Sequence, residues 1–398
     1  MQSCKDTSWV PTPCEETNCP VCEGTDHFEI GTMGRHGIPV RNVSCKTCGM
    51  VYVTPRPSQE QMAEFYRSHY RKQHLVPLPY NGKLAKPGTP EFELAIQQRG
   101  EIQADLALYL GKVQPGERIL DVGCRRGRTL HSMMQKVDIQ AYGIEPDENE
   151  AAMATSHGIQ MHAGVIETFA PGDLRFDQIQ MLHVLEHLHD PLQCLIHLRS
   201  LLKPNGRLVI EVPDMMAPVR TLKWFFQYPH LYSFSKNTLS ALFLRAGLEP
   251  VDGLFSGTIM LMGTPMGNAI HQRKPFHPSM MNEPTHDGSW VANRLLTYNG
   301  LETVRRQIKA GIDISPKLLA ALLKRHSLPI QQKTSMTHTA EVTLDLVEWM
   351  STQQRIGDAA HILESVITGP HDPAFIEMCR QALEQIRRIQ PKFPANRI

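Results

Sequence analysis

Apolar residues recur along the first two thirds of this chain in short blocks that alternate between two periods. Met50-Val51-Tyr52-Val53 is a continuous apolar run and reads as a strand. Pro55 and Pro57 punctuate it, and Ser58 is placed to cap a short amphipathic helix with Met62, Phe65 and Tyr66 on one face. Residues 71–90 carry Pro77, Pro79, Gly82, Pro87, Gly88 and Pro90 and read as a loop. Phe92, Ile96, Ile102, Leu106 and Leu110 then predict a helix from about Glu91 to Leu110. Beyond it, strand blocks at Arg118-Ile119-Leu120, Ile139–Ile144, Phe176–Leu182 and Arg207–Val212 alternate with helical stretches to about residue 265. That alternation predicts an α/β fold, a parallel sheet with helices on both faces.

The pattern changes after residue 265. Gln272 to Ser289 is polar and rich in Pro and His, and the chain then turns helical. From Thr339 the apolar positions suggest two helices around a break at Gly369-Pro370. They could form one tetratricopeptide-like hairpin, but no second copy follows at a fixed period. A helical cap or a surface for self-association or a protein partner is expected instead. Four segments result: an N-terminal module over 1–57, a helical linker or lid over 58–110, the α/β domain over 111–265 and a helical region over 266–398.

Composition excludes several classes. Lys plus Arg number 41 and Asp plus Glu 40, a net charge of +1. That balance lacks the basic excess of a nucleic-acid binder. No stretch reaches about 18 consecutive apolar residues, so no membrane span is expected. The first residues, MQSCKDTSWVPTPCEE, hold no apolar signal core.

Four of the nine cysteines fall as Cys19-Pro-Val-Cys22 and Cys45-Lys-Thr-Cys48, followed by Gly24 and Gly49. Two residues between cysteines let both thiolates converge on one ion, and two such knuckles complete a tetrahedral Cys4 zinc site. The gap of 22 residues between the pairs allows a hairpin. Disulfides fit less well without a secretory segment. Cys4 and Cys14 compete as ligands only at poorer spacing. Four thiolates leave no open position, so a structural zinc is expected in a zinc ribbon that metal binding helps to fold. Reduced, metal-bound cysteines point to the cytoplasm.

The chemistry-bearing stretch is Asp121 to Leu130, DVGCRRGRTL: a strand, a glycine turn and a helix. Glycine lets the backbone approach a ligand, and the helix N-terminus beyond suits an anion. The next strand ends at Glu145, where doubly wound nucleotide folds hold a ribose. The dinucleotide pattern is not met, because Arg125 and Arg128 stand at its later glycine positions. The pattern present is D-x-G-x-x-x-G.

Asp121 to Gly127 resembles motif I of the class I S-adenosylmethionine-dependent methyltransferases, usually D-x-G-C-G-x-G. The resemblance continues through Glu145, Gly164-Val165-Ile166-Glu167, His183-Val184-Leu185-Glu186-His187 and Lys203-Pro204-Asn205-Gly206 with the strand Arg207 to Val212. It spans roughly Glu91 to Pro265, in family order. It implies a Rossmann-like sheet. It also implies a methionine pocket shaped by Asp121, Gly123, Cys124 and Gly127, ribose hydroxyls on Glu145, and adenine near Val165 and Ile166. His183 then lines the methyl-donor cavity. Arg125 departs from the family's middle glycine. A left-handed backbone there would strain arginine by about 1–3 kcal/mol. With negative φ its guanidinium could pair with the methionine carboxylate. A solvated loop arginine fits equally.

His183-Val-Leu-Glu186-His187 also fits H-x-x-E-H, an inverted zinc-peptidase signature, but that motif needs a helix. His187 and His189 read as structural histidines. The acceptor side rests on Tyr228-Pro229-His230-Leu231-Tyr232. Sugar-modifying relatives with N-terminal zinc modules place a catalytic histidine in this loop after a glutamate, and here Pro229 stands there instead. His230 and His183 are the candidate general bases, and Trp224, Phe225, Phe226 and Tyr228 are the candidate pocket wall or packing. The expected function is methyl transfer to oxygen or carbon of a small molecule such as a nucleotide sugar, glycan precursor or secondary metabolite. An RNA methyltransferase is opposed by the neutral charge and by the lack of an Asn/Asp-Pro-Pro-aromatic signature. A scaffold whose donor site is blocked by Arg125 is the other alternative.

Overall fold

The computed structural model describes residues 12–13, 15–70, 78–81, 83–216, 221–255 and 258–266, with isolated helical positions between 288 and 384. Two compact units divide the chain, 1–219 with 223–285, and 220–222 with 286–398. Apart from isolated helical positions between Glu377 and Glu384, the expected C-terminal helical pair falls outside the described residues, as do Cys4, Cys14 and Cys379.

The first unit begins with β1 (His27–Met33), β2 (Pro39–Cys45) and β3 (Val51–Val53). The expected hairpin between the cysteine pairs is β1–β2, antiparallel from His27↔Cys45 to Met33↔Pro39. Helix α1 (Gln59–Ser68) starts where expected. Ser58 Oγ accepts from the Gln61 N–H, and the Gln61 side chain accepts from the Ser58 N–H. Met62 and Phe65 are buried but Tyr66 is 38% exposed, so it lies off that apolar face. The 71–90 stretch is not all loop. It contains a small antiparallel hairpin, β4 (Leu78–Tyr80) with β5 (Lys83–Ala85). Helix α2 (Pro90–Gly111) follows, with Thr89 capping the Phe92 N–H and Pro90 in the first turn.

The α/β domain then runs β6 (Arg118–Val122), α3 (Arg128–Met134), β7 (Gln140–Glu145), α4 (Glu148–Ser156), β8 (Gln160–Ala163), β9 (Phe176–Leu182), α5 (Pro191–Leu201) and β10 (Leu202–Pro213). It ends with β11 (Tyr232–Ser233), α6 (Lys236–Arg245), β12 (Leu248–Phe255) and β13 (Thr258–Pro265). Its seven-stranded sheet has the order β12-β13-β10-β9-β6-β7-β8. Successive residues of β6 serve opposite faces, as the strand period requires. Ile119 packs with Ala104, Leu130 and Ala154 from α2, α3 and α4. Leu120 joins the cluster of Leu195, Leu198, Leu239 and Phe243 from α5 and α6. The sheet is parallel over five strands, but β13 runs antiparallel to both β10 and β12, which corrects the all-parallel expectation. A direct β12–β13 return needs no crossover helix.

The sheet reverses between β8 on one side of β6 and β9 on the other. Ligands seat at the carboxyl ends of strands beside such a switch. β11 does not join this sheet. It extends the N-terminal one, giving the order β1-β2-β3-β11.

Gly127, the N-cap of α3, has φ +67°, and a Cβ there would overlap Cδ1 of Ile159. Gly127→Ala is therefore expected to cost about 2 kcal/mol of stability, read from urea denaturation; an unchanged midpoint would contradict the packing described.

Candidate functional site

The residues expected on the donor side lie at the carboxyl edge of β6 and β7. Asp121 is 3% exposed, and burial pushes its carboxyl up to about 7, against the opposing hydrogen bond from Gln180. The chain then turns at Gly123 with φ +76°, where a Cβ would sit 2.5 Å from Cγ2 of Val184. Glu145, 7% exposed, faces this turn. Its Oε2 accepts from the Arg125 N–H at 3.0 Å and its Oε1 from the Asp147 N–H at 2.9 Å. Each oxygen keeps a lone pair for a ligand hydroxyl. Burial also raises this carboxyl, although the two N–H groups oppose it.

Arg125 adopts the left-handed alternative, φ +51°. That conformation aims its N–H at Glu145 and costs about 1 kcal/mol or more. Its guanidinium donates to the Tyr70 hydroxyl at 3.1 Å. Cys124 lies with its Sγ 3.9 Å from Met161 Sδ, and burial raises its thiol. Val165 is 44% exposed while the adjacent Ile166 is buried in the core.

The residues expected on the acceptor side gather around the end of β9. His183 has φ +59°, which turns its ring between two buried acids. Nδ1 lies 3.5 Å from Glu186 Oε1 and Nε2 lies 3.4 Å from Glu211 Oε1. Burial lowers the His183 pKa, but the two carboxylates outweigh it and lift it to about 9. Glu211 is raised by burial and lowered more by His183, to about 2, and Gln103 Nε2 donates to its Oε2 at 2.5 Å. Neither oxygen of Glu186 has a hydrogen-bond partner among the described residues.

His187 and His230 meet edge to face, centroids 4.6 Å apart. His187 Nδ1 is 3.0 Å from the Pro229 carbonyl and 3.0 Å from the Tyr66 hydroxyl. A carbonyl only accepts, so the proton resides on Nδ1 and Nε2 is left as an acceptor. Burial lowers the His187 pKa and keeps the ring neutral. Polar atoms of Glu186, His187 and His230 all lie within 4.8 Å of one another. The peptidase alternative fails on geometry, because Leu185–His187 is a single 3-10 turn and His183 lies outside it. Phe226 and Tyr228 are buried, Tyr228 against Phe65 at 5.0 Å, so these two pack beneath the loop.

The four predicted cysteines converge. Cys19 Sγ lies 3.5 Å from Cys48 Sγ, and Cys22 Sγ lies 3.4 Å from Cys45 Sγ, with all four buried. Thiolates at about 2.3 Å from a zinc ion would be about 3.8 Å apart, so the cluster needs only slight expansion to fit one. Burial pushes the Cys19 thiol well up, while its hydrogen bond holds the Cys45 thiol well down. The two left-handed knuckle positions are Gly49 and, instead of Gly24, Glu23.

Glu211, Tyr66 and Arg56 escaped the sequence analysis as site residues. A lone acid inside Leu208-Val209-Ile210-Glu211-Val212 is a readable signal for the first. Tyr66 and Arg56 carry none, since only the tertiary fold brings them to the loops.

Residues 94–252 match a family model described as a methyltransferase domain. The chain is similar to the ubiquinone biosynthesis O-methyltransferase of Cereibacter sphaeroides (strain KD131), 29% identical over 154 residues, covering 34% of this chain and 62% of that protein. The protein of that name from Roseobacter denitrificans is 28% identical over 178 residues, covering 40% and 70%. A solved structure, magnesium protoporphyrin IX methyltransferase from Synechocystis with bound S-adenosylhomocysteine, is 16% identical, covers 43% of this chain and 83% of that one, and has a TM-score of 0.34. The chain thus spans less than two thirds of the first relative's length. Residues 94–252 thus carry a methyltransferase domain. Among the described residues, no helix is long and apolar enough to cross a membrane.

The His183 site sets a pH dependence. Its folded pKa of about 9 exceeds the ordinary 6.5, so its stabilisation is complete below about 6.5 and is lost as pH rises through about 9. Melting temperature should fall over that window, and His183→Gln should flatten the fall; identical profiles for the two proteins would remove the imidazolium from the account.

Proposed function

We propose that this chain transfers a methyl group from S-adenosylmethionine to oxygen or carbon of a small-molecule acceptor, with a structural zinc ion in the Cys4 module. One observation carries the donor half. A left-handed glycine turn packed against Val184 faces a carboxylate, Glu145, whose oxygens are oriented by two backbone N–H groups and keep free lone pairs. Asp121, Gly123, Cys124 and Gly127 would form the methionine end, Glu145 would hold the ribose hydroxyls, and Val165 and Ile166 would flank the adenine. The engagement of Arg125 by Tyr70 and Glu145 favours this reading over a blocked scaffold. The O-methyltransferase relatives support a small-molecule acceptor. The net charge of +1 weighs against RNA, and reduced metal-bound thiols fit a cytoplasmic protein.

When bound, the donor supplies an electrophilic methyl group on a sulfonium. The chain's own task is to align the acceptor and to take its proton. His230 is the base in this reading, with neutral His187 beside it and the Glu186 carboxylate stabilising the imidazolium that forms. His183 already carries a proton at neutral pH. It would serve in the cavity as a fixed donor whose charge Glu186 and Glu211 balance.

Tritiated methyl from the donor should appear in the low-molecular-weight fraction of an extract incubated with the protein. Label confined to RNA, or no transfer at all, would overturn the proposal. His230→Gln should lower turnover about hundredfold. Glu145→Ala should weaken S-adenosylhomocysteine binding by about 1–3 kcal/mol in calorimetry, and equal affinity would misplace the ribose. Elemental analysis should find one zinc per chain, lost in Cys48→Ser; folded wild type free of metal would refute that part.

A further inference from the structure

We infer that the Cys4 module is part of the acceptor site, fixing the spacing of His187 and His230 through Arg56 and the β3–β11 pairing. This rests on the acceptor half of the function proposed above. β11 begins two residues after His230, and its strand neighbour is β3, through Tyr232↔Tyr52 and Ser233↔Val51. The Val53 N–H extends the ladder to the Leu231 carbonyl at 2.9 Å. β2 ends on Cys45 and β3 follows Cys48, so the second cysteine knuckle joins the strands that hold the loop.

Arg56 ties the second histidine loop to the first. Its Nη1 donates to the His189 carbonyl at 2.7 Å and to the Tyr232 hydroxyl at 2.9 Å, and that hydroxyl donates to the same carbonyl at 3.0 Å. His189 Nε2 donates to the Pro57 carbonyl at 3.0 Å. The upstream end of the loop is also held by this module, since the Arg35 N–H donates to the Phe226 carbonyl at 2.8 Å and its guanidinium to the Trp224 carbonyl. The first knuckle, Cys19 to Cys22, is anchored by the buried Arg245 of α6, which donates to the carbonyls of Pro20 and Val21 at 2.8 and 2.9 Å. The segments on either side of His230, and the one beyond His187, are thus fastened to one module. Among the described residues, Asp121, Gly123 and Glu145 make no hydrogen bond to that module. Arg56 touches neither histidine ring and acts through the backbone that carries them, so it is a positioning residue.

The test uses the zinc-loaded full chain and needs no acceptor, so it can succeed or fail independently of the methyl-transfer reading. Arg56→Ala is compared with Tyr232→Phe, which deletes one hydroxyl and leaves the fold's packing in place. Both should speed amide exchange across residues 228–233 about tenfold, and should broaden the His187 Nδ1–H resonance in a histidine-labelled sample. Arg56→Lys, which can still reach the His189 carbonyl, should restore that resonance. S-adenosylhomocysteine affinity should stay within about twofold of wild type, because the donor residues lie outside the clamp. Wild-type exchange and an unchanged His187 resonance in both variants would overturn the inference. So would a parallel loss of donor-product affinity, which would mark a general destabilisation.

Discussion

Four carboxylates are buried along the carboxyl edge of one sheet, and the rest of the site follows from keeping them there. Asp121, Glu145, Glu186 and Glu211 are each less than a tenth exposed. An uncompensated buried charge costs several kcal/mol, so each needs its own remedy. Asp121 is shifted toward its neutral form. Glu145 is met by two backbone N–H groups, one obtained by holding Arg125 in a left-handed conformation. Glu211 and Glu186 share the His183 imidazole, itself turned by a positive φ. Backbone strain and buried charge thus coincide at the same two turns, after β6 and after β9.

The second constraint is topological. Residues 27–53 and 232–233 are far apart in sequence yet share one small sheet. A core cluster runs without a break from Cys19 and Tyr52 through Leu231 and Phe234 to Leu242 and the central strands. The Cys4 module is therefore packed into the first unit and not appended to it. Metal binding at its knuckles would stabilise the same strands that carry the histidine loop.

Much of this was legible in the linear pattern. Positions of tight chemistry carry strong local signatures: two C-x-x-C pairs, the D-x-G-x-x-x-G turn, an acid ending the next strand, a capping serine before α1. Those features obey short-range rules, and each lies where expected. Features decided by distant partners were not legible. The β4–β5 hairpin sits in a Pro- and Gly-rich stretch whose local pattern reads as loop. The antiparallel course of β13 depends on a return connection, not on its own residues. β11 is two residues long and has no periodicity to read. Arg125 was undecided in sequence because either sign of φ suits a glycine turn; its hydrogen bond to Glu145 is the deciding interaction.

The central claim is that the cleft between the Gly123 turn and Glu145 seats the methyl donor. A crystal structure with S-adenosylhomocysteine tests it most directly. Density should place both ribose hydroxyls within about 2.6–3.2 Å of the Glu145 carboxylate, with the Arg125 N–H still bound to it. A cleft that stays empty at saturating ligand, or a ribose bound elsewhere, would contradict the account.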